Sequence, residues 1–109
     1  RYQEACSCFR LLVAADPSVP KYWRGLGSCL QMQKDYDEAL NCYTLCARVS
    51  TPLQIDPSLY IQTADCFLAL KEMEEAKRAL DAAHSTAAKK GNKQILQHVA
   101  FMKQVWGFK

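Results

Sequence analysis

The sequence predicts an all-α chain built from repeated pairs of antiparallel helices and closed by one further helix. Three observations carry that prediction. Apolar residues recur at helical spacing: Trp23, Leu26 and Leu30 share one side of a first helix, and Tyr36, Leu40 and Tyr43 form the same stripe on a second. Small residues at Gly27 and Ala39 are set against bulky Trp23 and Tyr43, so the two helices can interlock, with a short connection at Lys34 and Asp35. Gly27 leaves space for a neighbouring backbone to come close. Finally, the unit recurs: Tyr2, Ala5 and Phe9 stand 34 residues before Tyr36, Ala39 and Tyr43, while Tyr60, Ala64, Phe67, Met73, Ala76 and Leu80 stand 37 residues after Trp23, Gly27, Leu30, Tyr36, Ala39 and Tyr43.

A period of 34, lengthened by a three-residue insertion within 51–55, is the spacing of tetratricopeptide helix pairs. The phrase ahead of the small alanine repeats as well, as Tyr2-Gln3-Glu4-Ala5, Tyr36-Asp37-Glu38-Ala39 and Met73-Glu74-Glu75-Ala76. A single domain over 1–109 is expected, with 1–16 the second helix of a truncated first repeat, 20–50 a second repeat, 56–88 a third and 92–106 a capping helix.

Each element has its own start and stop signals. The first helix, 2–15, has its pairing partner upstream of Arg1, so its apolar face, Phe9, Leu12 and Val13 included, needs another cover. Asp16-Pro17-Ser18 ends it, and the neighbourhood of Pro20 opens a helix running to about Gln33. Asp35 followed by Glu38 reads as an N-cap and its reciprocal acid, starting a helix over 36–49. Thr51-Pro52 breaks that helix, and Leu53-Gln54-Ile55 lengthens the turn. Asp56-Pro57 restarts a helix, with Asp as N-cap and Pro at the first position, where a missing N–H is harmless. It continues to about Leu70, and Lys71-Glu72 turns into a partner over 73–88, acidic at its start and basic toward its end as the helix dipole favours. Gly91-Asn92 is the next stop. The last helix, 93–105, carries Ile95, Leu96, Val99, Met102 and Trp106 on one side and suits the open end of the final repeat, which a stack of repeats would otherwise leave bare.

Composition excludes several function classes. Half the 109 residues are hydrophobic, yet no run approaches the roughly 20 apolar residues of a membrane span, so a soluble chain with no membrane insertion is expected. The net charge of +3 is uneven: 84–109 holds five lysines and no acid, while 1–83 holds nine Lys and Arg against eleven Asp and Glu. The lysines read as a solvated face, and no nucleic-acid partner is expected. Of six cysteines, Cys8 and Cys42 occupy one repeat position, Cys29 and Cys66 another, and Cys46 a small-residue slot. They read as small fillers in a reducing compartment, since Cys42 and Cys46 at i, i+4 and the Cys6-Ser7-Cys8 run lack zinc-spaced partners. His84 and His98 read as structural or solvent-facing side chains. No catalytic constellation, phosphate loop or metal set can be assembled, so no enzyme and no cofactor is expected.

Stacked helix pairs curve, with the first helix of each pair on the inner wall. In the tetratricopeptide frame the inner-wall positions are Lys21, Arg24, Ser28, Gln31 and Met32 in one repeat, and Ser58, Ile61, Asp65, Leu68 and Ala69 in the next. The packing read above does not require them. Apolar Met32, Ile61, Leu68 and Ala69 among polar groups suit an extended peptide whose side chains enter pockets while its backbone is hydrogen-bonded. The alternative is a generic adaptor clamping an acidic C-terminal peptide. Lys21 and Arg24 fit that reading, whereas Asp65, Ile61 and Leu68 do not.

The run Tyr22-Trp23-Arg24-Gly25-Leu26-Gly27-Ser28-Cys29, the segment 36–43 and Thr63-Ala64-Asp65-Cys66-Phe67-Leu68 resemble the class II chaperones of bacterial type III secretion, which hold pore-forming translocators. The resemblance extends from Tyr2 to at least Ala83. It implies a cytoplasmic bacterial protein whose concave groove takes an extended client segment with spaced proline and leucine. It also implies a translocator or gatekeeper as partner, and a homodimer formed through the region ahead of Arg1. Richness in cysteine inclines the source toward an intracellular parasite such as a chlamydia.

Overall fold

The computed structural model describes residues 1–108, and every regular element in them is an α-helix. In order these are α1 (Tyr2–Ala15), α2 (Pro20–Met32), α3 (Tyr36–Val49), α4 (Pro57–Ala69), α5 (Met73–Lys90) and α6 (Lys93–Val105). The all-α helix-pair architecture is therefore as expected. The chain forms two compact units, the first over Arg1–Ile55 and the second from Asp56 onward.

In the first unit α2 packs between α1 and α3. Its core comes from Leu26, Cys29 and Leu30 of α2 meeting Ala39, Cys42, Tyr43 and Cys46 of α3, all buried. Tyr43 is 1 % exposed and lies over Gly27: a Cβ built on that glycine would stand 2.6 Å from the ring. The close approach expected at Gly27 is thus made by an aromatic ring and not by a backbone. A second glycine does the same for α1, since a Cβ at Gly25 would fall 2.3 Å from the Phe9 ring.

In the second unit α4 and α5 pair, and α6 lies on them. Ala76, Ala79, Ala83 and Ala87 turn an alanine stripe of α5 inward, which lets its neighbours come near. Val99 and Met102 of α6 join Ile61, Ala64, Leu68, Ala76, Ala79, Leu80 and Ala83 in one cluster. Lys103 Nζ also donates to Asp81 Oδ1 at 2.6 Å, tying α6 to α5 at the surface.

The turns explain why helices stop where they do. After α2 and α4 the chain closes with a bond from Asp35 N–H to Leu30 O and from Glu72 N–H to Phe67 O, each 2.9 Å, with Lys34 and Lys71 in the left-handed region at φ of 66° and 61°. This is the six-to-one helix stop that glycine usually serves. Gly91 makes the same stop after α5, with Asn92 N–H bonded to Ala87 O at 2.9 Å. Asn92 then caps α6, its side chain accepting from Ile95 N–H at 3.1 Å.

Of the two expected aspartate N-caps, one forms. Asp56 accepts from Ser58 N–H at 2.9 Å with extended backbone, ψ 127°. Asp35 makes no side-chain cap bond. Its ψ of 73°, imposed by the preceding left-handed turn, falls short of the extended backbone that aims a cap side chain at the helix N-terminus. The expected reciprocal pairing with Glu38 is corrected accordingly.

All six cysteines are free thiols, five buried and Cys8 exposed. Burial pushes the Cys42 thiol up to about 11 and the Cys66 thiol up to about 12, with Glu38 adding to the first and Asp65 to the second. At pH 8 both stay protonated and unreactive, since the thiolate is the nucleophile. A thiol-reactive dye at that pH will label Cys8 promptly and the other five only as the fold opens. Prompt labelling of several thiols, followed by mass spectrometry of the modified peptides, would contradict their use as core fillers.

Candidate functional site

The positions of α2 that the repeat frame assigns to the inner wall carry a mixed strip on the first unit. Lys21 is exposed, Arg24, Ser28 and Gln31 are half-buried, and Met32 keeps 57 % of its surface in water. An unbranched thioether held in solvent at the end of a helix is an adaptable apolar contact. Beneath the strip, the Tyr43 hydroxyl donates to Gln31 Oε1 at 2.6 Å and lies 3.5 Å from Ser28 Oγ. A polar group of α3 thus reaches a strip that the repeat pattern assigns to α2 alone. The periodicity marks Tyr43 as core, and its ring is; that the hydroxyl emerges among Ser28 and Gln31 has no signature in spacing. Arg24 lies near the Cys46 thiol, which burial pushes up and the guanidinium draws back.

On the second unit the predicted positions divide. Ser58 is half-buried in the first turn of α4, and Asp65 and Ala69 are exposed. Ile61 and Leu68, at 8 % and 7 % exposure, belong to the core cluster with Val99 and Met102. The expectation that packing does not require them is corrected here. Val99 and Met102 of α6 and the alanine stripe of α5 belong to the same cluster, so the apolar groups the repeat frame leaves for a ligand are taken into the core of this unit. Asp65 stays at the edge of this core, its carboxyl pushed up by desolvation and drawn back by His98 of α6. The His98 neighbour was hidden in the sequence because the two residues are 33 positions apart.

No cluster of three His, Cys, Asp or Glu able to hold a metal occurs among the described residues. No described helix is long and apolar enough to cross a membrane. A shallow cleft on the second unit is lined by Met73, Glu74, Lys77, Arg78, Asp81 and Phe108, none of them in the predicted strip.

These helices, their small-to-large interlocking and their period define an all-α tetratricopeptide-type fold, and residues 20–50 match the tetratricopeptide repeat family. The chain's particular likeness is to the class II translocator chaperones of type III secretion, as the residue phrases of α2 and α4 imply. The low calcium response locus protein H of Yersinia pestis is 29 % identical over 90 residues, which are 83 % of this chain and 52 % of the relative. The chain therefore spans about half the length of the curated relatives it matches. The Yersinia enterocolitica type III secretion translocator chaperone SycD superposes with a TM-score of 0.85 at 28 % identity, covering 95 % of this chain and 77 % of SycD. A chain of the CopN–Scc3 complex superposes with a TM-score of 0.77 at 31 % identity, covering 88 % of this chain and 58 % of the other.

Proposed function

We propose that this chain acts as a type III secretion chaperone, holding an extended segment of a translocator or gatekeeper and keeping it soluble until export. The observation that carries the reading is the likeness to SycD, a translocator chaperone, over nearly the whole of this chain. The strip supports it physically. On the first unit Lys21, Arg24, Ser28, Gln31 and Met32 mix hydrogen-bonding groups with exposed apolar surface, as an extended peptide requires; on the second, Ser58, Asp65 and Ala69 keep at least part of their surface in water. Ile61 and Leu68 belong to the buried core of the second unit. The protein binds and does not transform its client, and it works in the bacterial cytoplasm, where five buried, unpaired cysteines are stable. Affinity would come from a few anchors, because ordering the client and the side chains offsets most of the contact area.

Titration with a labelled translocator peptide bearing spaced proline and leucine tests this, beside an acidic C-terminal peptide. The first peptide is expected to bind with micromolar or better affinity. Met32→Arg, which changes only a solvent-exposed side chain, should weaken it about tenfold, the loss of one apolar anchor. Binding of the acidic peptide alone, weakened by salt and by Arg24→Ala, would replace this reading with the adaptor.

A further inference from the structure

Gln31 lies half-buried on α2 of the first unit with its two ends in different situations. Its side-chain oxygen is taken by the Tyr43 hydroxyl at 2.6 Å. Its amide nitrogen makes no hydrogen bond among the described residues, and it is not shut away, since no buried side-chain nitrogen or oxygen lacks a partner there. The nitrogen therefore faces water. Tyr43 cannot wander: its ring is 1 % exposed and is seated on Gly27, where even one added carbon would stand 2.6 Å away. A rigid ring fixes the hydroxyl, the hydroxyl fixes the amide oxygen, and a planar amide with its oxygen fixed has its N–H groups aimed.

We propose that Gln31 donates its amide N–H to a main-chain carbonyl of the extended client, and that Tyr43 is the residue that positions it. The inference rests on the chaperone reading and names how the strip of the first unit recognises a client. An extended strand turns a carbonyl toward the same side at every second residue. An aimed donor on the wall therefore reads extended backbone, whatever side chain the client carries at that register. Holding the donor in place before binding removes the entropy of ordering a glutamine side chain, which raises affinity without any added contact. Ser28 Oγ, 3.5 Å from the same hydroxyl, lies beside the donor on the strip.

The test uses the whole chain and the labelled translocator peptide, with a series in which each backbone amide is replaced in turn by an ester. An ester is a weaker carbonyl acceptor at an almost unchanged shape. Tyr43→Phe, which keeps the ring on Gly27, and Gln31→Ala should each weaken binding about three- to tenfold, as the loss of one hydrogen bond predicts. The double variant should lose no more than either single one, because both act through one donor. Gln31→Glu keeps an acceptor for Tyr43 but presents an oxygen in place of the donor, and it should bind more weakly than Gln31→Ala with unchanged helicity. One ester position should weaken binding to the parent and have no further effect on Gln31→Ala. If the parent binds the peptide but Tyr43→Phe binds equally well, or no ester position is silenced by Gln31→Ala, the proposal is overturned while the chaperone reading stands. If the parent does not bind at all, that reading falls and this one with it.

Discussion

Ile61→Arg or Leu68→Arg will unfold the second helical unit, and will not leave a folded domain with a damaged binding face. Both side chains lie in the cluster formed by α4, α5 and α6, with Leu80 and Val99 fully buried among them. Removing either apolar group forfeits roughly 2 kcal/mol of burial. The guanidinium must then either stay in the cluster, at a cost of several kcal/mol without a buried partner, or swing out toward Asp65 one turn away and leave a cavity behind. Either route costs on the order of 4 kcal/mol, a large share of the 5–15 kcal/mol that holds a domain of this size together. A drop in melting temperature of about 15 °C or more is expected, with loss of far-ultraviolet helical signal. Wild-type helicity and melting in both variants would show that these side chains face solvent.

Gly27→Val will be the most damaging glycine replacement in the chain. The Cβ alone would lie 2.6 and 2.8 Å from two ring carbons of Tyr43 and 3.2 Å from Cys42 Cβ, and the two added methyls reach further. Valine gains a few tenths of a kcal/mol over glycine in helix propensity, which is small beside the overpacking. Neither the ring nor Cys42 has an escape route, so α2 and α3 must separate, at a cost of about 3 kcal/mol. Gly25→Val is the informative comparison. The atoms it meets belong to the Phe9 ring, only half-buried on α1, which can rotate toward water. Chemical denaturation of the two variants should therefore give a clearly lower midpoint for Gly27→Val. Equal midpoints would mean that α3 yields as readily as α1.

Much of the fold was written in local pattern. Helical spacing of large residues placed all six helices, and the boundaries differ from expectation by a residue or two, as at α5, which runs on to Lys90. The stops after α2 and α4 were anticipated in place but not in form. Lys34 and Lys71 take up the left-handed turn that a reader of sequence assigns to glycine or asparagine. The Asp35 cap failed for the same reason, because the turn in front of it, and not its own side chain, decides its backbone angle.

Exposure at the candidate positions was legible where a single helix face decides it. Lys21, Arg24, Ser28, Gln31 and Met32 are all at least partly exposed, because their exposure depends on which side of α2 meets its neighbours, and that follows from Leu26, Cys29 and Leu30. Exposure was illegible where a second or third helix intervenes. Ile61 and Leu68 occupy inner-wall positions by register and core positions in fact, because α6 brings Val99 and Met102 against the same cluster.

By itself the sequence determined the helices, their period and the pairing of small with large residues, all of which depend on neighbours within one or two turns or one repeat. Tertiary structure alone decided that the Tyr43 hydroxyl holds Gln31, that His98 comes close enough to act on the Asp65 carboxyl and that Ile61 and Leu68 are core. Periodicity states which side of a helix is apolar. What covers that side, and where the polar tip of a buried ring emerges, is settled only when residues distant in the chain are packed to contact.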